Sequence, residues 1–232
     1  MTRSGLGLGK TFLLFFLGFL GSFLMLAIRS IVTGRMIHLF LFWNLILALI
    51  PLVVAVLTAV VTHKGPRLLT LPALVVFSFA WLIFFPNSSY LFTDFIHLIQ
   101  KGLPAENPNA RGMENMLLWY DVIVRSLFAF SGHFLGLVSL WIMHRQWKKA
   151  VGRVGGWVLV VVSTLLAGYG VFMGRFLRLN SWNLFTPGDA WTRLVDNLAT
   201  PDAWLFSVSL AVFLLISYFF VYLFKQARGG ES

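Results

Sequence analysis

At 232 residues the chain is 59% hydrophobic and only 11% charged, against the roughly 25% charge of a soluble domain, which excludes a fold whose surface is mainly wetted by water. The net charge of +10 sits in short connectors between apolar runs, the pattern of a membrane protein with a basic cytoplasmic fringe rather than of a nucleic-acid binder. No Cys is present, so disulfides, thiolate nucleophiles and Cys-ligated metals are excluded.

The first apolar run, 11–28, is longer than a signal-peptide core and lacks a following small-x-small site, so it is read as a spanning helix. Gly18 and Ser22, four apart, suit a close helix contact. The second run, 39–61, contains Asn44 and Pro51, and Pro51 is expected to kink it. The third, 68–85, ends at Pro86. The fourth, 116–143, carries Asp121, Arg125 and His133, and the fifth and sixth are 154–173 and 203–224. Each run approaches or exceeds the roughly 20 residues needed to cross the hydrocarbon. The expectation is one all-α membrane domain over 1–232: a bundle of six transmembrane helices with one or two short interfacial helices on the outer side.

Both termini and the second and fourth connectors hold ten Lys and Arg between them, against seven in the other connectors, which favours cytoplasmic termini. On the outer side, Gly102 to Asn115 reads as a polar loop. Asp189-Ala190-Trp191 and Asp202-Ala203-Trp204 each read as a helix-capping Asp with an interfacial Trp. Trp191, Leu194, Val195 and Leu198 share one face, as on a helix lying in the membrane plane.

The third run's end, the fourth's beginning and the fifth's end fall on one side of the membrane. That parity can bring Asn44, Asn87, Tyr90, Asp94, His97, Tyr120, Asp121, Arg125, Arg175, Arg178 and Asn180 into one neighbourhood. Asn87, Tyr90, Asp94, His97 and Lys101 form one stripe if 87–101 is helical. Asp121 and Arg125 are placed to pair at i, i+4, and Arg175 and Arg178 to point the same way at i, i+3. Ionisable groups at membrane depth face a partner or a cavity. Two Asp against three Arg leaves room for one anion, such as a lipid phosphate or a carboxylate.

Asp94, His97 and Asp121 are therefore the candidate catalytic residues for proton handling. Asn87, Tyr90, Arg125, Arg175, Arg178 and Asn180 are the candidate substrate-binding residues. The bland alternatives are a helix-stabilising Asp121–Arg125 pair, a wet interfacial face for Asp94 and His97, and a packing role for His133. Gly132 with Gly136 and Gly170 with Gly174 read as close helix contacts. No phosphate-binding P-loop, H-E-x-x-H or G-x-S-x-G motif occurs, and no metal or other cofactor is expected.

Three segments stand out together: Phe85-Pro86-Asn87-Ser88-Ser89-Tyr90-Leu91-Phe92-Thr93-Asp94 with Ile96-His97-Leu98, then Trp119-Tyr120-Asp121, then Gly174-Arg175-Phe176-Leu177-Arg178-Leu179-Asn180-Ser181-Trp182. In this order the chain resembles an uncharacterised family of bacterial integral membrane proteins, domain of unknown function 1361. The family commonly has proline where this chain has Ser89. The resemblance implies a bacterial multi-pass membrane protein and carries no activity with it. The leading functional expectation is an outward-facing polar site for an anionic lipid or lipid-linked substrate, with membrane lipids as partners. The alternatives are a non-catalytic scaffold or assembly subunit bound to other membrane-protein subunits, and a small transporter.

Overall fold

A computed structural model describes residues 3–34, 39–64, 67–96, 113–179, 181, 188–198 and 200–229, and all regular structure among them is helical. The elements are α1 (Arg3–Thr33), α2 (Leu39–Lys64), α3 (Arg67–Phe84), the single turn α4 (Asn87–Tyr90), the 3₁₀ segment η1 (Leu91–Phe95), α5 (Met113–Phe176), α6 (Asp189–Asn197) and α7 (Pro201–Gly229). Four stretches are long and apolar enough to cross a membrane: Phe40–His63, Thr70–Phe95, Met116–Phe176 and Pro201–Gln226. Phe16–Val32 is a shorter apolar helix. Phe79, Val154, Leu205 and Phe224 stand exposed, as outward apolar side chains do when lipid is the solvent.

The third crossing differs from expectation. It does not stop at Pro86 but continues to Phe95. Proline removes one N–H yet keeps its carbonyl, and Pro86 stays in the right-handed helical region (φ −56°, ψ −32°). Its oxygen accepts from the N–H groups of both Ser89 and Tyr90, at 3.2 and 3.1 Å. Pro86 is thus a break inside the crossing, roughly 13 Å from its Phe95 end at 1.5 Å per residue. Pro51 lies within an uninterrupted α2.

An unbroken α5 would be about 96 Å long, three times the roughly 30 Å hydrocarbon thickness. Gly152, at φ 88° and ψ 178°, reverses the chain instead. Only glycine adopts that backbone without strain. The expected spans 116–143 and 154–173 fall on the two limbs. The limbs fold back on each other: Gly156 packs on His144, and the His144 and Trp157 rings are 5.0 Å apart. α7 closes over both limbs, with the Ser207 backbone against Gly168 and the Tyr218 hydroxyl 2.5 Å from His144 Nδ1. α1 lies along the first limb, where Tyr120 donates to the Met25 carbonyl at 2.7 Å.

The two glycine pairs on α5 meet the broken crossing. A side chain at Gly132 would lie 2.6 Å from Leu91 Cδ1 and 2.9 Å from the Ser88 carbonyl oxygen. Gly136 abuts the Ser88 side chain. On the other limb, a Cβ at Gly170 would lie 2.6 Å from Pro86 Cγ, and one at Gly174 3.1 Å from Tyr90 Cε2. Residues 86–91 are therefore clasped between the limbs, at a distance that only hydrogen side chains allow.

α6 and the start of α7 flank one end of the bundle. Tyr169 donates to the Leu194 carbonyl at 2.6 Å and Trp204 Nε1 to the Leu198 carbonyl at 2.6 Å. Gly188, not Asp189, occupies the N-cap of α6, and Asp202 lies in the first turn of α7 behind Pro201. Asp202 therefore acts on the helix dipole rather than as the cap residue, with Pro201 placed where the missing N–H costs nothing.

Gly132→Ala is expected to lower stability by about 1–3 kcal/mol, because the Ser88 carbonyl in its way is main chain and cannot swing aside. An unchanged thermal midpoint in detergent would refute the close approach.

Candidate functional site

The polar stretch after Pro86 is organised by two guanidinium groups that reach its main chain. The Ile96 N–H already bonds back to the Thr93 and Asp94 carbonyls, and each oxygen keeps lone-pair capacity for a second donor. Arg175 Nη2 donates to the Thr93 carbonyl at 2.7 Å, and Arg125 Nη1 to the Asp94 carbonyl at 2.9 Å. The Asp94 side chain, 2% exposed, offsets the imported charge. Its Oδ1 accepts from Arg175 Nη1 at 3.3 Å and its Oδ2 from Asn44 Nδ2 at 3.2 Å. Asn44 comes from α2, Arg125 from the first limb of α5 and Arg175 from the second, so three elements converge on one residue.

Aromatic rings flank both cations. The Arg125 guanidinium lies 5.7 Å from the Phe40 ring centre, and that of Arg175 lies 5.9 Å from the Tyr90 ring centre. Asn87 works as a latch: its Nδ2 donates to the Phe84 carbonyl and to Ser181 Oγ, both at 3.1 Å, while Ser181 donates to the Ile83 carbonyl at 2.9 Å. The chain leaving α5 is thereby tied to the break in the third crossing.

A cleft of about 670 Å³ opens beside this network. Asn44, Asn87, Tyr90, Asp94, Arg175 and Ser181 form its polar part. Phe79, Leu82, Ile83 and Leu166 form an apolar wall, and Trp191 and Leu194 of α6 border it. Phe79 and Leu166 are 66% and 45% exposed, so the apolar wall reaches the outside of the bundle.

The other expected site residues fall out as follows. Asp121 does not line the cleft. It pairs with Arg29 of α1, which the spacing did not name: Arg29 Nε donates to Oδ1 at 2.7 Å and Nη2 to Oδ2 at 3.1 Å. Arg125, 2% exposed, donates to the Asp94 carbonyl and does not line the cleft. Arg178 does not share a helical face with Arg175. α5 ends at Phe176, and Arg178 takes a left-handed conformation (φ 55°) with its side chain exposed, while the Leu179 N–H bonds back to the Met173 carbonyl at 3.2 Å. His97 and Asn180 lie outside the described residues. His133 is 3% exposed, 3.3 Å from Ser89 Oγ through Nδ1, and packed among Phe92, Phe134 and Phe213.

Arg29 was missed because it reads as a connector residue closing an apolar run. The parity that placed Asp121 near one membrane face also places the end of the first helix there. With Arg29 in place of Arg178, three Arg still face two Asp among the described residues of the cluster.

Helices apolar enough to cross a membrane, joined by ion pairs at one end of the bundle, define a helical membrane protein. The chain matches the family described as protein of unknown function (DUF1361) over residues 43–217, most of its length, and it belongs to that family. It matches no curated protein and no solved structure.

The Arg29–Asp121 side chains are 10% and 7% exposed, so removing one partner leaves the other charge in a poorly hydrated place. Asp121→Asn is expected to cost about 3–5 kcal/mol, and adding Arg29→Gln to recover part of that loss. A double-mutant cycle on thermal unfolding checks this, and additive effects would show that the pair is not coupled.

Proposed function

We propose that the protein is a multi-pass bacterial membrane protein whose cleft binds an anionic lipid or lipid-linked substrate. On this reading each limb of α5 crosses the membrane, α1 crosses with it, and the six crossings leave both termini in the cytoplasm. α6 lies at the outer interface, and the cleft opens toward the extracytoplasmic leaflet of the cell membrane. The observation carrying the proposal is the shape of the cleft's chemistry. A guanidinium paired with a carboxylate, two amides and a phenol sit at one end, and an apolar wall that reaches the lipid phase continues from them. An amphipathic molecule with a phosphate or carboxylate head fits that order.

Arg175 and Tyr90 would contact the head group, Asn44 and Asn87 would orient it, and Leu82 and Leu166 would border the chain. Arg125 would support the site from behind through Asp94. Both Asp94 oxygens already accept hydrogen bonds, from Asn44 and Arg175, so binding is better supported than acid catalysis at this residue. His97 remains the candidate proton carrier should the bound lipid react, with Asp121 too far into its own ion pair to serve the cleft.

A second reading has an observation of its own. Arg125 and Arg175 both donate to main-chain carbonyls, as they would in a scaffold where they only tie helices together. Lipid co-purifying with the full chain, identified by mass spectrometry, separates the two. Leu166→Trp narrows the apolar wall without touching the ion network, and it is expected to lower the bound anionic lipid at least tenfold with folded protein unchanged. Arg175→Gln should do the same. Unchanged lipid in Leu166→Trp, with Arg175→Gln merely lowering yield or detaching a partner protein, would establish the scaffold instead.

A further inference from the structure

A second concavity, about 830 Å³, lies at the other end of the bundle between α2, α3 and the first limb of α5. Asn44 of the cleft and Thr62 of this pocket are both on α2, separated by roughly 27 Å at 1.5 Å per residue. His63, Arg145 and Lys149 line it, and among the described residues no Asp or Glu does. Lys148 and Arg153 lie on the same stretch of chain, so the local field is strongly positive. Thr62 bonds to Gln146 Oε1 at 3.2 Å and holds α2 to α5 across the pocket. Trp141 lies under two cations, with Arg145 at 4.8 Å and Lys225 of α7 at 5.1 Å from its rings.

The depth of this pocket selects its occupant. His63 is the last residue of one apolar crossing and Thr70 the first of the next, and both line it. It therefore sits where apolar wall gives way to polar rim, at the level of lipid head groups. Below the cations the lining turns apolar through Val56, Val60, Leu71 and Leu74, and Val60 and Leu71 are about half exposed on the outside of the bundle. A soluble anion would use the cations and leave that wall idle. A phospholipid uses both.

We propose that this pocket holds the head group of an anionic membrane phospholipid, with Arg145 and Lys149 against its phosphate and its acyl chains along Val60 and Leu71. The site shares no residue with the cleft, so either can fail without the other. With the orientation proposed above it faces the cytoplasmic leaflet, where anionic lipids attract basic residues at about fivefold in affinity per cation.

The test uses the full chain reconstituted in vesicles of phosphatidylcholine with phosphatidylglycerol, the latter or the former spin-labelled. Wild-type protein should immobilise labelled phosphatidylglycerol in preference to labelled phosphatidylcholine. Arg145→Gln with Lys149→Gln should lower that preference by up to roughly twenty-five-fold, while Arg145→Lys with Lys149→Arg should keep it. Raising salt from about 0.1 M to about 1 M on the unaltered protein should erode the preference as screening shortens to about 3 Å, a measurement independent of any variant's folding. Arg175→Gln should leave this component in place. Equal immobilisation of the two lipids by wild type, insensitivity to salt, or full retention in the doubly neutralised variant would each overturn the proposal. Loss of the same component in Arg175→Gln would reassign it to the cleft.

Discussion

Convergence of Arg175 and Arg125 on the Thr93 and Asp94 carbonyls is the interaction on which the rest of the bundle depends. Both carbonyls also accept from the Ile96 N–H, so the arginines use their remaining lone pairs and bring positive charge with them. Charge at membrane depth is costly unless it is paired, and Asp94 supplies the partner for Arg175. The network follows from that one demand rather than from a collection of independent contacts.

That demand also explains the glycines. For Arg125 and Arg175 to reach adjacent carbonyls, the limbs of α5 must approach the broken crossing from both sides. Gly132, Gly136, Gly170 and Gly174 make the approach possible. Dispersion attraction at such short range is what holds helices together where the solvent is as apolar as the side chains. Packing at mid-depth and ion pairing at the membrane edge are therefore two ends of the same arrangement, and Gly152 supplies the reversal that lets one helix provide both walls.

The residues that hold the crossing also line the cleft. On the binding reading, an anion arriving at Arg175 competes with Asp94 for the same guanidinium, so occupancy and the anchoring of the third crossing are energetically linked. The pocket at the opposite end has no such dual duty. Arg145 and Lys149 are exposed at a helix terminus, where their positive charge also suits the dipole. On the two proposals, one end of the bundle would couple ligand and fold, while the other would gain or lose a lipid with little effect on the helices.

Composition and the placement of charge were enough to establish a helical, membrane-embedded chain, because excluding water leaves a surface with few charges and backbone groups that must be satisfied within helices. The family was legible in three short motifs, and the neighbourhood of Asn44, Asn87, Tyr90, Asp94, Arg125 and Arg175 in span parity, since helix length fixes which ends share a side. Three-dimensional packing decided the rest. It showed Pro86 to be a mid-span break, since a proline carbonyl still supports the next turn. It put Arg29 on Asp121, and it turned Arg178 outward where α5 ends. Local spacing names the partners a side chain could reach, but the choice among them is made by which helices can pack closely enough to bring a competitor nearer.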